Sequence, residues 1–416
     1  MSQPTDAPTR LWEKKPAAGD ANVALDEAVL RFTVGDDHRR DARLVAHDVR
    51  ASIAHADMLR SCGWLTAEDF AALRAELERL AASHAAGEWS ISRAEEDVHT
   101  ALENRLVAAL SDAGRRIHLG RSRNDQVLAA LRLYLKSSVA ELAQRVDQHV
   151  VGGLHAVAER HTDVPLPGYT HQQPAMPSTV ALWAGGYATE LADDADGLRA
   201  ALRRVDRNPL GSAAGYGTPG LTLDREHTTR GCGFAETHAP VTAVQLSRGK
   251  AEAGVLFEIT LLMQDLGRLA AELCLFTTRE FGFCHLPERF TTGSSIMPQK
   301  RNPDVLELLR GRSAQAASRL TDVLGVMVKL PSGYHRDLQL IKGPLFDGID
   351  GASDAVNIMG AMLDGLRFDA AATQASMTPE LECTEAANRL VADEGIPFRV
   401  AYQRVAAEWF ARTREA

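Results

Sequence analysis

Apolar residues recur every three or four positions over long stretches of this chain, which is the spacing of helices that bury one face. Because these stretches are long and no alternating strand pattern competes with them, the sequence predicts an all-α fold with a central bundle of long helices packed at small crossing angles. The predicted long helices run from Asp125 to about His161, from Ser178, over Leu256–Phe276, after Asn302 and from about Leu345.

Shorter helical patterns flank this bundle. Thr66 stands before Glu68 and Asp69 and is predicted to cap the helix that follows, while residues 1–22 are predicted to form a loose arm. We expect three domains: an N-terminal helical domain (1–113), the long-helix domain (114–375) and a short C-terminal helical domain (376–416). Helices of this length should also leave apolar stripes that partner subunits cover.

The composition of the chain argues against several classes of function. The chain has 416 residues, of which 45% are hydrophobic and 24% charged, so it can bury a sizeable core. Its net charge of −9 argues against non-specific binding to nucleic acid or to anionic membranes, and it has no apolar run long enough to span a membrane. Its five cysteines form no C-x-x-C pair, which favours free thiols in the cytoplasm over disulfides or a zinc site.

The most distinctive polar segment is Thr291–Pro303, which holds a Gly-Ser-Ser turn and then Lys300 and Asn302. Asn302 is predicted to cap a helix that has Pro303 at its first position. A polar loop that enters a helix N-terminus can gather anionic oxygens. The Gly-Ser-Ser turn taken alone is more typical of a plain linker.

Further polar loops lie at the ends of the long helices, and each has a structural and a functional interpretation. In His118–Gln126, the arginines could bind a carboxylate, or Ser122 or Asn124 could simply cap the helix. In Pro167–Ala175, His171 could transfer a proton or lie on the surface without a role.

Two more loops complete this set. The glycines of Pro209–Gly220 could cradle a phosphate, but the segment lacks the Gly-Lys-Ser/Thr of a nucleotide-binding loop. The segment Leu330–Lys342 carries Tyr334, Gln339 and Lys342, and its cations could alternatively stabilise a helix dipole.

Together these loops favour one kind of ligand. Cationic, amide and hydroxyl donors dominate them, so we expect an anionic ligand rich in carboxylates. The sequence shows neither metal-ligand spacing nor a dinucleotide-binding turn, which leaves proton chemistry without a cofactor or metal. Loops at both ends of antiparallel helices can meet only if several subunits pack side by side.

The motifs of this chain resemble those of the fumarase/aspartase superfamily and, within it, the argininosuccinate lyase family. The segments that carry the resemblance, in order, are Glu96–His99, Gly120–Gln126, Pro167–His171, Asn208–Gly211, Gly293–Pro303, Tyr334…Gln339…Lys342 and Leu345–Asp347. They are distributed along most of the chain.

The resemblance implies reversible cleavage of argininosuccinate to arginine and fumarate, part of arginine biosynthesis, through an aci-carboxylate intermediate. It implies that Ser294 is the general base, that Lys300 stabilises its alkoxide, and that His171, held by Glu307, serves the leaving guanidino group. Spacing alone leaves Ser295 open as the base.

The resemblance also implies the binding residues and the assembly. Fumarate-side carboxylates would be bound by Arg123, Asn124, Thr170 and Asn302, and the rest of the substrate by Tyr334, Gln339 and Lys342. The family forms a homotetramer with a core of twenty helices and active sites shared between subunits.

The chain departs from the family pattern in several places. Glu13–Pro16 replaces a glycine-containing run, Asp37 stands near the place of a substrate-binding serine, and the C-terminal domain is short. Two alternatives stay open: a related lyase that acts on adenylosuccinate, aspartate or malate, and a non-catalytic helical scaffold like the lens-protein members of the family.

Overall fold

The computed structural model describes residues 27–414. Residues 1–26, which include the predicted loose arm and the Glu13–Pro16 departure, lie outside the described part, as do residues 415–416. The α-helices are α1 (Glu27–Val34), α2 (Asp37–Arg40), α3 (Val45–Ser61), α4 (Ala67–Ala85), α5 (Val98–Leu110), α6 (Asp112–Arg116), α7 (Arg123–Arg145), α8 (Gly152–Arg160), α9 (Val180–Val205), α10 (Arg225–Cys232), α11 (Val241–Leu246), α12 (Lys250–Phe276), α13 (Asp304–Met327), α14 (Lys342–Leu363), α15 (Ala370–Ala375), α16 (Cys383–Glu394) and α17 (Phe398–Arg414).

The strands of the described residues are short and pair in twos. The sheets are an antiparallel hairpin of β1 (Pro165–Thr170) and β2 (Gln173–Thr179), a parallel pair of β3 (Arg207–Asn208) and β4 (Glu236–Thr237), and an antiparallel pair of β5 (Cys284–His285) and β6 (Arg367–Phe368). The sequence predicted none of these strands, but they are too few to change the fold class, and the all-α prediction is confirmed.

The five predicted long helices are all present. The first, predicted from Asp125 to about His161, is the succession of α7, a π-helical segment (Val146–Val151) and α8. The other four are α9, α12, α13 and α14; α9, α13 and α14 begin within three residues of the predicted positions, and α12 begins six residues before Leu256. Apolar periodicity therefore located these elements, although it gave no sign of the π-helical turn, in which Val146 and Val150 are still buried.

The chain folds into two compact units, each assembled from three separate stretches of sequence. In the described part, the first unit comprises residues 27–141, 198–257 and 318–349, and the second comprises residues 142–197, 258–317 and 350–414. The three predicted domains (1–113, 114–375 and 376–416) stay a prediction.

The first unit has its core around α3, which packs against α4 and α10. Leu59, Leu73 and Leu77 are completely buried there. Helix α4 begins as predicted, because the Thr66 hydroxyl accepts a hydrogen bond from the Asp69 amide (3.0 Å). The cap fixes the start of a helix whose leucines then fall on the buried face.

The second unit contains an aromatic cluster around Trp183. Its ring contacts Tyr187, Phe276 and Phe368, with centroids 5.3–5.8 Å apart. The Trp183 indole and the Tyr187 hydroxyl both donate to the Glu272 carboxylate, at 2.9 and 2.7 Å. The cluster thus joins α9 to α12 while satisfying the polar tips of the rings.

No helix within residues 27–414 has both the length and the apolarity that crossing a membrane demands.

Candidate active site

The segment predicted to be functional, Thr291–Pro303, forms a loop in the second unit. The backbones of Thr292 and Asn302 pair in both directions, with N···O distances of 3.0 and 2.8 Å. Residues 293–301 therefore form a loop whose two ends are joined at the start of α13. The Asn302 side chain does not take the predicted capping role: its Nδ2 donates to the Gly293 carbonyl (3.3 Å), and α13 begins at Asp304.

Ser294 lies half-buried in this loop, and its hydroxyl is hydrogen-bonded by backbone amides. Its Oγ accepts hydrogen bonds from the amides of Ile296 (3.4 Å) and Met297 (3.2 Å). Amide donors that point at a hydroxyl oxygen stabilise the negative charge that the oxygen acquires when it loses its proton. Ser295, the alternative base, is exposed. The geometry therefore favours Ser294.

Two other predicted catalytic groups, one in this segment and one just after it, are exposed. Lys300 and Glu307 are both exposed, and the Lys300 amide donates to the Met297 carbonyl (3.1 Å), which closes a turn. Glu307 lies in the first turn of α13, and its amide donates to the Pro303 carbonyl. Both side chains are therefore accessible to a ligand or to a neighbouring subunit.

His171 occupies the tip of the β1–β2 hairpin. Thr170 pairs with Gln173, so His171 and Gln172 form a two-residue turn, and both have positive φ angles of 52° and 60°. This is the conformation of a type I′ turn, which matches the twist of a hairpin. Thr170 and His171 are exposed, as is Glu307, so the predicted contact between the His171 ring and Glu307 stays a prediction.

In the first unit, Arg123 is bound by carboxylates of its own chain. Its Nε donates to Asp97 (2.5 Å) and its Nη2 to Glu96 (2.6 Å), and both acids are almost completely buried. Arg336 shares the Glu96 oxygen at 2.6 Å. Because its fork is already occupied, Arg123 has less capacity to bind a substrate carboxylate than the sequence suggested.

Asn124 lies beside this ion pair in the first turn of α7. Its amide donates to the Ser122 hydroxyl (3.3 Å), which confirms a capping role for Ser122, and its side chain is half-buried. The next residue, Asp125, accepts from the amides of Gly211 (2.9 Å) and Ala213 (2.8 Å). Asp125 therefore fixes the glycine-rich segment Pro209–Gly220 against the N-terminus of α7.

A buried histidine–aspartate pair lies behind Asp97. His99 Nδ1 pairs with the Asp48 carboxylate, and the side-chain amide of Gln126 also donates to Asp48 (3.1 Å). Burial alone would lower the pKa of His99, but Asp48, together with Asp97 and Asp41, raises it above the usual 6.5. The sequence analysis names His99 only within the Glu96–His99 motif, and it missed the partner Asp48, which lies in the middle of the α3 sequence pattern.

We expect this pair to make stability depend on pH. Since the folded-state pKa of His99 exceeds its unfolded value of 6.5, the stabilisation is complete below that pH and is lost as the pH rises through the folded-state pKa. The thermal midpoint of the native chain should therefore exceed that of His99→Gln by more at about pH 6 than at about pH 9. Equal differences at both pH values would contradict the charged pair.

Lys342 is buried rather than presented to a ligand. Its Nζ donates to Asp41 (2.7 Å) and pairs with Asp37 (2.9 Å), and only 3% of the residue is exposed. Burial alone would lower its pKa, but the carboxylates of Asp41 and Asp37 raise it, so the ammonium stays charged. Asp37, near which the family resemblance implied a substrate-binding serine, thus helps to neutralise a buried lysine.

Gln339 helps to hold the same segment. Its Nε2 donates to the Thr33 carbonyl (3.0 Å), as does Arg336 Nη2 (2.9 Å). The segment from Tyr334 to Lys342 is therefore attached to the end of α1 and to α2.

Arg248 is a functional candidate that the sequence reasoning missed. Its guanidinium lies 5.4 Å from the ring centroid of Tyr334, the residue is only 5% exposed, and burial lowers its pKa. Among the described residues, its Nε and Nη1 have no hydrogen-bond partner, and neither do the amide atoms of the buried Gln245 nor the hydroxyl of Ser212.

Unpaired buried polar groups of this kind are costly, and a guanidinium with two unpaired nitrogens suits a carboxylate ligand. The signal in the sequence was weak: Arg248 stands in the short Ser-Arg-Gly link between α11 and α12, two residues before Lys250. Within residues 27–414, no three His, Cys, Asp or Glu side chains are grouped so that they could hold a metal ion.

The chain matches the model of a protein family described as lyase over residues 19–317. It is 46% identical over 402 residues to the argininosuccinate lyase of Sorangium cellulosum, a match that covers 96% of this chain and 90% of that protein. It is 43% identical over 397 residues to the argininosuccinate lyase of Stenotrophomonas maltophilia, a match that covers 95% of this chain and 90% of that protein.

Solved structures share the fold. EDDS lyase in complex with formate superposes with a TM-score of 0.79 at 24% identity, covering 93% of this chain and 76% of that one. Class II fumarase from Schistosoma mansoni superposes with a TM-score of 0.78 at 17% identity, covering 95% and 92%. The sequence matches and the shared fold lead to one conclusion: the chain belongs to this lyase family and, within it, to the family of the argininosuccinate lyases.

Proposed function

We propose that this chain is an argininosuccinate lyase, which eliminates fumarate from L-argininosuccinate and releases L-arginine. The base removes a proton from the carbon beside a carboxylate, the C–N bond then breaks, and its electron pair leaves with the guanidino nitrogen, which gains a proton. One observation carries the proposed chemistry: the Ser294 hydroxyl accepts hydrogen bonds from two backbone amides in a loop at the start of a long helix.

Ser294 is the proposed general base. A serine alkoxide is unfavourable near neutral pH, so the site must stabilise it electrostatically. The amides of Ile296 and Met297 supply part of this stabilisation, and the exposed Lys300 supplies a positive charge once the loop closes over substrate. Closure also removes water, which strengthens each of these interactions.

His171 and Glu307 are proposed to serve the leaving group. A histidine can give a proton to the departing guanidino nitrogen near neutral pH or orient it. The two-residue turn that carries His171 supports this role, because the paired strands on either side of it set the position of the ring.

Carboxylate binding is proposed for Asn124, Thr170 and Asn302, as the family resemblance implied. We add Arg248, whose unpaired guanidinium nitrogens make it the buried cation best suited to a substrate carboxylate. Tyr334 would lie beside this group, since its ring already contacts Arg248.

Arg123, Gln339 and Lys342 were predicted to contact substrate, and their contacts favour a positioning role. Each is bound to neighbouring groups of the first unit: Arg123 to Glu96 and Asp97, Gln339 to Thr33, and Lys342 to Asp37 and Asp41.

We also propose a homotetramer with active sites shared between subunits. Exposed apolar side chains on the long helices support this assembly, among them Leu182 (69% exposed) and Leu308 (63%). Leu308 and Val305 also line an apolar cavity of about 430 Å³ in the second unit. Light scattering should give a mass of four chains of 45.1 kDa, and a monomer would contradict this proposal.

A cytoplasmic location is proposed as well. The five cysteines are free in the structure, which suits a reducing compartment.

A substrate panel tests the proposed function. The purified protein is incubated with argininosuccinate, adenylosuccinate, aspartate and malate, and fumarate is followed by its ultraviolet absorbance. We expect fumarate from argininosuccinate alone. Release from one of the other three would instead identify a related lyase, and no release from any of them would favour a non-catalytic scaffold.

A further inference from the structure

The two ends of the 293–301 loop are joined by more than their backbone pair. The Thr292 hydroxyl donates to the carboxylate of Asp304, the first residue of α13, and the Asn302 side chain donates to Gly293 (3.3 Å). We call Thr292, Asn302 and Asp304 the clasp. It connects the loop that carries Ser294 to a helix of 24 residues.

The contact between Thr292 and Asp304 is the strongest type of bond in the clasp. A hydroxyl that donates to an ionised carboxylate forms a charge-assisted hydrogen bond, about twice as strong as a neutral one. Asp304 also lies in the first turn of α13, where the positive end of the helix dipole attracts a carboxylate. The helix therefore strengthens the acceptor on which the loop depends.

Packing contributes little on one side of the clasp. We call the two joined ends of the loop, Thr291–Thr292 and Asn302–Pro303, the stem. A cavity of about 270 Å³ lies against the stem and is lined by Thr291, Arg301 and Pro303 among others. Thr292 itself is exposed, and Asp304 is half-buried. Because the stem is not tightly packed on the side of the cavity, its conformation depends more strongly on its hydrogen bonds.

We propose that Asp304, through Thr292, is a positioning residue for the reaction: the clasp holds the stem of the loop so that Ser294 keeps its two amide donors. Ser294 lies two residues after Thr292, so a change in the path of the stem displaces its hydroxyl directly. This inference rests on the proposed function of Ser294, whereas the clasp itself can be tested without any turnover.

The test compares Thr292→Val, which keeps the side-chain shape and loses the hydroxyl, with Thr292→Ser, which keeps the hydroxyl. Thr291→Val is the matched control. It makes the same substitution at the neighbouring residue, whose hydroxyl donates to the Glu288 carbonyl (2.9 Å) and not to Asp304. Asp304→Asn is the second variant, which removes the charge of the acceptor and keeps its shape.

Two readouts are measured for each variant. The first is the rate of tryptic cleavage after Lys300 and Arg301, both exposed within the loop, followed by mass spectrometry without substrate. The second is kcat and KM on argininosuccinate. We expect Thr292→Val to be cleaved faster and to lose about 10-fold or more in kcat with little change in KM, Asp304→Asn to change in the same direction, and Thr292→Ser and Thr291→Val to resemble the native chain.

The outcomes separate this inference from the proposed function. Native cleavage rates in Thr292→Val would overturn the clasp, whatever the activity. Faster cleavage with native kcat would overturn its positioning role. A native chain without turnover on argininosuccinate would refute the proposed function, while the cleavage rates would still decide whether the clasp holds the loop.

Discussion

Replacing Ser294 with alanine is expected to lower kcat on argininosuccinate by a factor of about 10²–10⁴, the range that a general base contributes. The reason is that the substitution removes the proton-accepting oxygen at which the amides of Ile296 and Met297 are directed, and alanine offers no oxygen in its place. Initial rates of fumarate release measure the effect, and circular dichroism checks that the helices are intact.

Ser295→Ala is the matched control for this prediction. Ser295 is exposed in the same loop, and its substitution makes the same chemical change one position along the chain. We expect it to keep most of the native kcat. If the two variants exchanged behaviour, Ser295 would be the base. If Ser294→Ala kept the native rate and Ser295→Ala did too, the assignment of a serine base would be wrong.

Replacing Lys342 with methionine is expected to lower the free energy of unfolding by about 3–5 kcal/mol, because it leaves two carboxylates buried without their cation. Methionine has a similar length, so the loss comes mainly from Asp37 and Asp41, which are 6% and 0% exposed. Urea unfolding at one fixed protein concentration measures the change.

Arg74→Met is the control for the lysine variant. Arg74 and Glu78 form an ion pair on the surface of α4 with more than half of each side chain exposed, so the substitution should leave the urea midpoint close to native. A Lys342→Met protein with native stability and lost substrate affinity would show that Lys342 contacts substrate, as the family resemblance implied.

The long helices were predictable because their apolar residues repeat over many turns. The stripe that buries Leu256, Ile259 and Leu262 is typical of a helix alone, and the predicted helix ends at Phe276 as observed, although it begins six residues earlier than predicted. The family was predictable for a different reason: its motifs stand in order along most of the chain, and similar relatives confirm it.

The β1–β2 hairpin escaped prediction because its strands carry several prolines and no alternation of apolar residues. Its turn is formed by His171 and Gln172, which tolerate positive φ less readily than the Asn-Gly pair that usually marks such a turn. The pairing of the two strands therefore depends on the surrounding fold, which local propensity does not indicate.

The sequence also did not indicate which charged side chains are buried. Lys342 and Arg248 are both cations in or near polar segments, yet one is neutralised by two carboxylates and the other lacks partners on two of its nitrogens in the described part of the chain. The difference depends on residues that are far apart in the sequence, such as Asp41 and Tyr334, and only the fold brings them together.

The most direct test of the proposed reaction is the balance of products formed by the native protein from argininosuccinate. We predict one arginine for each fumarate, measured together by amino-acid analysis and ultraviolet absorbance, with both products strongly reduced in Ser294→Ala. Fumarate without arginine, or full product formation by Ser294→Ala, would contradict it.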